Sequence, residues 1–515
     1  MGTVGPGRYR QVLAMKAFLD NTAIRPGRNG TTGERGMSNT ASPKWQVFAL
    51  VAAGVFMSTL DSSIVNIALP VIMADFKVAL SVIEWVPMIY LLTVSSLLLT
   101  CGRLSDIRGR RLVYCGGFLI FSVGSLLCGI AGNAAWLIAF RSLQGLGAAM
   151  LMACSPALVV DVFPVAERGR ALGMVGMVVA TGLITGPALG GLILEHFSWR
   201  AIFYINIPIG IGVTVAALRI LHRSDEHRRP EPMDWRGALL LIVSFSSFIG
   251  GLSHLHEWGP VSARMGVAAV VFVAGTAALA WVETRTPNPL FAPSLLKIRL
   301  FVWPLAGATL LFVGLFFITF LMPFYMVHPL AFSMARVGAT MMIPFVFVFI
   351  FAPISGTLSD RLGSRMLCTV GMSLLTAALL LLSRLTAAST FPDMAWRLAL
   401  AGIGIAVFIS PNSAAAMSAV PPRHRGIASG AVATARNLGM VIGVALAGLI
   451  FNSTFRHLSG GHDLKIYTPA LEPVFMAAFE HAMLAGAAVA GVGIVVAYFR
   501  GRDSGRPADG KPHVS

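Results

Sequence analysis

Gly102-Arg-Leu-Ser-Asp106-Ile-Arg-Gly109-Arg-Arg111 is a short basic turn between two apolar segments. A related turn, Gly356-Thr-Leu-Ser-Asp360-Arg-Leu-Gly363-Ser-Arg365, follows 254 residues later, with Gly, Leu, Ser, Asp, Gly and Arg in the same places. Further pairs recur in order at nearly the same spacing, among them Pro156 with Pro411, Gly182 with Gly439, Gly186 with Gly443 and Gly191 with Gly448. An ordered series of matches indicates a duplicated chain.

The chain around these turns is strongly apolar. Of its 515 residues, 56% are hydrophobic and 12% are charged, and its mean hydropathy is +0.77. Several runs without Asp, Glu, Lys or Arg exceed the ~20 residues that span a bilayer core, namely 112–140, 171–194, 300–335 and 398–422. In all, we predict fourteen transmembrane helices, the first at 45–70, and therefore an all-α polytopic membrane protein.

The net charge of +17 is distributed by side. If the N-terminus is cytoplasmic, the tails and alternate loops on that side contain 29 of the 39 lysines and arginines. Cytoplasmic loops of membrane proteins carry this excess of basic residues. We therefore expect both termini in the cytoplasm and a location in the cell (plasma) membrane, with the lipid bilayer rather than nucleic acid as the partner of the basic residues.

The repeat spacing also predicts the domain organisation. It corresponds to eight helices in a chain of fourteen, which indicates two parallel six-helix bundles separated by a two-helix insert. The expected boundaries are a disordered cytoplasmic tail at 1–43, the bundles at 44–222 and 301–500, the insert with its flanking loops at 223–300, and a cytoplasmic tail at 501–515. Met1 and Met37 both remain candidates for the true start.

Two charged residues fall inside predicted spans of the first bundle. A carboxylate in a membrane helix costs about 2.5–3.5 kcal/mol on insertion scales and is functional by default. At 1.5 Å per residue, Asp61 and Arg141 lie roughly 12 Å and 9 Å below the outer ends of their helices, so they share a depth and can interact. The alternatives are a structural Asp that caps a neighbouring helix and an Arg that extends to the outer surface.

The fifth predicted helix contains a glycine and proline motif formed by Gly182, Gly186, Pro187, Gly190 and Gly191. Glycines four apart let another helix approach closely, and a proline removes a backbone hydrogen bond and bends the helix. The thirteenth predicted helix keeps three of the glycines but has Val444 in place of the proline. Tight packing alone is the alternative explanation.

Other polar residues within predicted spans are candidates for lining a cavity, although each is also suited to satisfying the hydrogen bonds of a neighbouring helix. They are Asn66, Tyr90, Gln144, Asn206, Asn412 and Arg436. The five cysteines show no metal-ligand spacing. We expect no cofactor and no metal site.

These motifs resemble the major facilitator superfamily, and in particular its fourteen-helix drug:proton antiporter branch, from about residue 45 to residue 500. The resemblance implies a proton-coupling role for Asp61 and Arg141 and identifies the fifth-helix motif as an exporter signature. It also implies that the basic turn is a conformational switch, through Gly102, Asp106, Gly109, Arg110 and Arg111 and, in the second turn, Asp360. The resemblance implies that this turn latches the outward-facing state, and Asp106 can accept hydrogen bonds and pair with an Arg across the domain interface.

The function implied is that of a secondary active transporter and not an enzyme. It would export small amphipathic molecules, such as drugs or a related metabolite, in exchange for protons by alternating access, and so contribute to antibiotic resistance. Its expected partners are a small-molecule substrate and protons, and a monomer is compatible with the fold. The alternatives are a specific carrier for uptake or export of a metabolite or organic ion and, more remotely, a non-transporting membrane sensor.

Overall fold

The computed structural model describes residues 43–501 except 165–166, 222–234, 254–261, 286–294, 296, 422–424, 463 and 466. The two predicted tails lie outside the described residues, apart from Pro43, at which the first helix begins, and Gly501. All regular structure in the described part is helical.

Fourteen long helices follow one another through the described ranges. They are α1 Pro43–Phe76, α2 Trp85–Arg108, α3 Arg110–Gly129, α4 Ala134–Val162, α5 Arg168–His196, α6 Asn206–Ile220, α7 Trp235–Ser253, α8 Ala263–Arg285, α9 Arg299–Val327, α10 Met334–Leu362, α11 Ser364–Leu382, α12 Phe391–Ser418, α13 Arg425–Leu458 and α14 Glu472–Phe499. Single helical turns, Leu80–Ile83, Ala201–Tyr204 and Pro469–Leu471, precede α2, α6 and α14.

The helix lengths and composition confirm the predicted fold class. Thirteen of these helices, with α6 counted together with the turn Ala201–Tyr204 before it, are long and apolar enough to cross a membrane, as judged on the described residues. The other is α7, whose 19 residues correspond to about 28 Å of helix. The fourteen helices of the prediction are therefore all present.

The first helix differs from its predicted bounds of 45–70. It continues to Phe76 through Pro70. A proline in a helix removes one N–H donor and strains one turn, which weakens a helix without necessarily ending it. The 34 residues of α1 measure about 51 Å, so the helix extends well beyond a bilayer core of about 30 Å.

The helix contacts repeat along the chain. In the first half α1 packs on α5, α2 on α4, and α3 on both α4 and α6. Eight helices later, α9 packs on α13, α10 on α12, and α11 on both α12 and α14. On these contacts we propose that α1–α6 and α9–α14 form two bundles derived from one ancestor. Helices α7 and α8 pack on each other, and α7 contacts α2 and α13.

The two basic turns have the same backbone geometry. Gly109 joins α2 to α3 with φ of 95° and ψ of 136°, and Gly363 joins α10 to α11 with φ of 84° and ψ of 149°. Side-chain-bearing residues rarely adopt such positive φ values, whereas glycine does so without steric penalty. The glycines at matching positions of the two turns therefore meet the same backbone requirement.

Contacts between the two halves involve α5 with α10 and α2 with α13. We call the side at which α1 begins and α14 ends the terminal side, and the opposite side the far side. Near the far side the backbones of α5 and α10 touch, because a Cβ added at Gly191 would lie 2.6 Å from the carbonyl oxygen of Met334. There the carboxylate of Glu195 also accepts a hydrogen bond from the Ala335 amide, at 3.1 Å.

Candidate functional site

Asp61 lies in the middle of α1, where α1 meets α4 and α6. Its side chain and that of Arg141 are both 0% exposed. Asn133 caps the start of α4 by accepting a hydrogen bond from the Trp136 amide, and Arg141 follows two turns later. Helix α6 begins at Asn206, which is also buried. Three helices therefore converge on one buried carboxylate.

Both carboxylate oxygens of Asp61 accept hydrogen bonds. Oδ1 accepts from Nε2 of Gln144 at 2.8 Å and from Nδ2 of Asn206 at 3.2 Å. Oδ2 forms an ion pair with Nη1 of Arg141. Hydrogen bonds to an ionised group are shorter and stronger than those between neutral groups. We call Asp61, Arg141, Gln144 and Asn206 the Asp61 cluster.

Arg141 is held by further contacts on α2 and α4. Its Nε donates to the carbonyl oxygen of Val86 at 3.3 Å, and its Nη1 donates to Oε1 of Gln144 at 2.7 Å. The guanidinium carbon lies 4.2 Å from the centre of the Tyr90 ring, a cation–π contact. Since Arg141 is fully buried, it does not extend to the outer surface.

Gln144 connects the cluster to α3. Its Nε2 also donates to Oγ of Ser125 at 2.6 Å, and the thiol of Cys128 lies 3.8 Å from its Oε1. The hydroxyl of Tyr90 donates to the carbonyl oxygen of Ser58 at 3.0 Å. The polar atoms of Tyr90 and Gln144 therefore have partners inside the first half of the chain.

The remaining predicted cavity residues lie elsewhere. On α1, Asn66 donates to the Ser62 carbonyl at 2.9 Å, while its Oδ1 is buried without a hydrogen-bond partner among the described residues. On α12, Asn412 donates to the carbonyl oxygen of Pro304 at 2.9 Å. It lies near the terminal side, whereas Asp61 is nearer the middle of the fold, so the structure does not bring the two together. Arg436 is half-buried on α13.

One buried cation was not predicted from the sequence. Arg500, just after α14, is 4% exposed and donates to Oγ of Ser364 at 2.6 Å and to Oδ1 of Asn412 at 3.5 Å. In the sequence it follows the last apolar run and is counted with the basic tail. One sequence feature indicates that Arg500 still lies within the fold: it directly follows the aromatic pair Tyr498 and Phe499.

The glycines of the fifth-helix motif divide between two neighbours. A Cβ at Gly182 would overlap the Thr59 side chain, and at Gly186 it would lie 2.6 Å from the Ser63 side chain. At Gly190 it would lie 2.8 Å from Ile64. These three glycines therefore let α5 pack on α1 directly before and after Asp61. Gly191 and the carbonyl of Pro187 instead contact Gly338 of α10.

The first basic turn is linked mainly to its own half. Arg110 pairs with Asp106 at 3.8 Å and with Asp161 of α4, and Arg111 donates to the Leu218 carbonyl at 2.6 Å. In the described part of the chain the partner of Asp106 is thus in the same turn, and not across the domain interface as expected from its chemistry. Around Gly102 the nearest atom to an added Cβ is 4.0 Å away. The side chain of Asp360 lies outside the described residues.

Comparisons with known proteins agree with this architecture. A family model described as the Major Facilitator Superfamily matches residues 51–444 and 306–511. The riboflavin transporter RibZ of Clostridioides difficile is 35% identical over 458 residues, which cover 88% of this chain and 97% of RibZ. The multidrug resistance protein Stp of Mycobacterium tuberculosis is 32% identical over 409 residues, 79% of this chain and 76% of Stp.

A solved structure shows the same fold at low sequence identity. A bacterial homolog of the human lysosomal transporter Spinster superposes with a TM-score of 0.63 and 13% identity, covering 90% of this chain and 97% of that one. Proteins of the matched family are multi-pass membrane transporters of small molecules and not enzymes. From the family match and the extent of the sequence identity, the chain belongs to the major facilitator superfamily.

Proposed function

We propose that this transporter exports small amphipathic molecules in exchange for protons, by alternating access of its two halves. The observation that carries the proposal is the Asp61 cluster. Among the acidic residues of the described helices, Asp61 is the one that lies more than ten residues from both ends of its helix. An ionisable residue at such a depth marks an ion or proton pathway.

The cluster provides a mechanism for coupling. A proton on Asp61 removes the negative charge that pairs with Arg141 and turns one oxygen from an acceptor into a donor. The contacts of α1 with α4 and α6 through Gln144 and Asn206 then weaken. Because α1 also packs against α5 on both sides of Asp61, and α5 contacts α10 of the other half, protonation is linked to the contact between the halves.

The charge distribution assigns the two sides of the membrane, and this assignment gives the direction of proton flow. We assign the terminal side to the cytoplasm, because most lysines and arginines fall there. In a plasma membrane, one proton moving inward supplies about 2.3 kcal/mol per 100 mV and about 1.4 kcal/mol per pH unit. That free energy supports export against a moderate gradient. The protein would act as a monomer.

The relatives support export of drug-like molecules but also a narrower role. Stp is named a multidrug resistance protein, which favours the drug:proton antiporter branch. RibZ, which this chain matches over nearly its whole length, is named a riboflavin transporter. A specific carrier for a vitamin-like aromatic metabolite is therefore the second candidate.

The test is proton-driven transport by the Asp61→Asn variant in inverted membrane vesicles, with ethidium and riboflavin as probes. We expect loss of uptake driven by a pH gradient, while exchange of probe down its own gradient continues. Asp75→Asn is the matched control, since Asp75 lies on the same helix but is half-exposed and bound to Arg200 and Trp199 at the far side. Proton-driven uptake that is the same in both variants would refute the coupling role.

A further inference from the structure

Arg436 is an intramembrane cation without a partner among the described residues. It lies eleven residues after the start of α13, about 16 Å along the helix. Its side chain is half-buried and its Nε atom is fully buried with no hydrogen-bond acceptor. Within the described ranges it forms no ion pair, no hydrogen bond and no contact with an aromatic ring. A charge at this depth needs an anion or water beside it.

The described helices of the second half have no carboxylate at that depth. The acidic residues of α9–α14 all lie nearer the ends of their helices, at Asp360, Asp393, Glu472 and Glu480. Glu480 already has Arg384 within 3.5 Å. In the first half, the Asp61 carboxylate accepts hydrogen bonds from three side chains, including that of Arg141. Among the described residues, none supplies an anion for Arg436, which leaves its charge for a group from outside the protein.

The faces of α13 show where Arg436 points. Ala435 faces α9, where its carbonyl accepts from the Thr309 hydroxyl at 3.1 Å. Gly430 faces α2, because a Cβ there would lie 2.9 Å from Leu99. At 3.6 residues per turn, Arg436 is rotated roughly 100° from Ala435 and roughly 120° from Gly430. It lies instead on the α9 side of α13, within about 20° of Gly443, where an added Cβ would be 2.8 Å from the Val313 carbonyl oxygen.

Burial along this face changes at Arg436. Towards the far side the same face continues through Met440, Val444 and Ala447, all buried. Towards the terminal side it continues through Ala433, which is half-buried, to Ser429, which is exposed. Arg436 thus lies where this face of α13 changes from buried to exposed towards the terminal side.

We propose that Arg436 binds an anionic group of the transported molecule, a carboxylate or a phosphate, so that amphipathic organic anions are a substrate class of this protein. The inference rests on the proposed transport function and adds its charge preference. A guanidinium suits this role because its paired N–H donors match the geometry of carboxylate and phosphate oxygens. A cationic substrate would instead be repelled at this position.

The experiment measures binding to the purified full-length protein in phosphatidylcholine nanodiscs, where no anionic lipid competes. Two probe pairs differ mainly in charge: 2-naphthoate with its methyl ester, and riboflavin 5′-phosphate with riboflavin. For at least one pair we expect the anion to bind the wild type about tenfold more tightly than its neutral partner. Arg436→Gln should abolish this preference, Arg436→Lys should keep part of it, and Arg384→Gln, at an exposed arginine of the same half, should leave it unchanged.

The outcomes separate this inference from the proposed function. The inference is overturned if neither anion binds the wild type better than its neutral partner, or if Arg436→Gln keeps the full preference. Misfolding is checked by melting temperature, and we expect Arg436→Gln to be at least as stable as the wild type because it removes an unpaired buried charge. Proton-driven riboflavin uptake that is lost in Asp61→Asn but kept in Asp75→Asn would support the coupling role independently of the anion site.

Discussion

The hydroxyl of Ser63 on α1 donates a hydrogen bond to the carbonyl oxygen of Leu183 on α5, at 3.1 Å. Leu183 precedes Pro187 by four residues, and a proline has no N–H to donate to the carbonyl four residues before it. The proline of the fifth-helix motif therefore frees an acceptor inside the membrane. Ser63, two residues after Asp61, uses it, so the motif is bonded directly to the helix that contains the buried acid.

This relationship predicts a double-mutant cycle. Ser63→Ala leaves the Leu183 carbonyl without its donor, which should lower stability by about 1–3 kcal/mol. In a Pro187→Ala background the new amide at position 187 bonds that carbonyl within α5, so Ser63→Ala should have a much smaller effect. The measurement is the melting temperature of the four proteins in one detergent. Equal effects of Ser63→Ala in both backgrounds would contradict the account.

A second prediction concerns the Asp61 and Arg141 ion pair. Arg141→Gln leaves a fully buried carboxylate without its cation, which should destabilise the protein by about 3–5 kcal/mol. The double variant Asp61→Asn with Arg141→Gln removes both charges, and we expect it to recover much of that stability without recovering proton-driven transport. Melting temperature and vesicle uptake are measured on the same preparations.

The control for this prediction is the half-exposed pair of Asp75 and Arg200, 3.2 Å apart at the far side. Exposed ion pairs contribute about 0–1 kcal/mol, so Arg200→Gln should have little effect. If Arg141→Gln were no more destabilising than Arg200→Gln, the buried pair would not contribute to the stability of the fold.

The sequence predicted the number of helices and the repeat because both depend on local patterns. The length of the charge-free runs matches the thickness of the bilayer. The glycines of the two basic turns are each required by the positive φ of their own turn. The ends of the helices were less accurate. Helix α1 passes through Pro70 to Phe76 because backbone hydrogen bonding continues beyond the apolar segment.

The site was only partly predictable. The depth of Asp61 and Arg141 follows from counting residues along each helix, and depth was enough to suggest that they interact. Rotation and neighbours do not follow from counting, so Tyr90, Gln144 and Asn206 were expected at a substrate cavity. In the structure Gln144 and Asn206 bond Asp61, and the Tyr90 ring packs on Arg141. Arg500 was missed because it directly follows the last apolar run, where no periodic pattern indicates that a side chain is buried.

A third prediction tests the two matching turns. At the φ and ψ values of Gly109 and Gly363, an alanine should introduce backbone strain of about 1–3 kcal/mol. We expect Gly109→Ala and Gly363→Ala to lower the melting temperature by similar amounts, because the two turns share one geometry. Gly132→Ala is the control, since Gly132 has open space around it and no positive φ. A turn variant as stable as this control would show that its glycine is not required.

The last prediction is a pH dependence of stability from His328, the residue that follows α9. Its ring stacks on Tyr467 at 5.1 Å and packs edge-on against Phe475 at 6.1 Å. Its Nε2 is buried without a hydrogen-bond partner among the described residues. Burial disfavours the charged imidazolium and lowers the pKa of His328 to about 4.

Because the folded-state pKa lies below the ordinary value of about 6.5, the unfolded chain takes up the proton first as the pH falls. The contribution of neutral His328 is therefore complete above pH 6.5 and is lost as the pH drops from 6.5 towards 4, by about 1.4 kcal/mol per unit. His328→Phe keeps a stacking ring without a titrating group. We expect the wild type to lose more thermal stability than this variant between pH 7.5 and pH 5, and parallel losses would show that the pKa of His328 is not lowered in the folded protein.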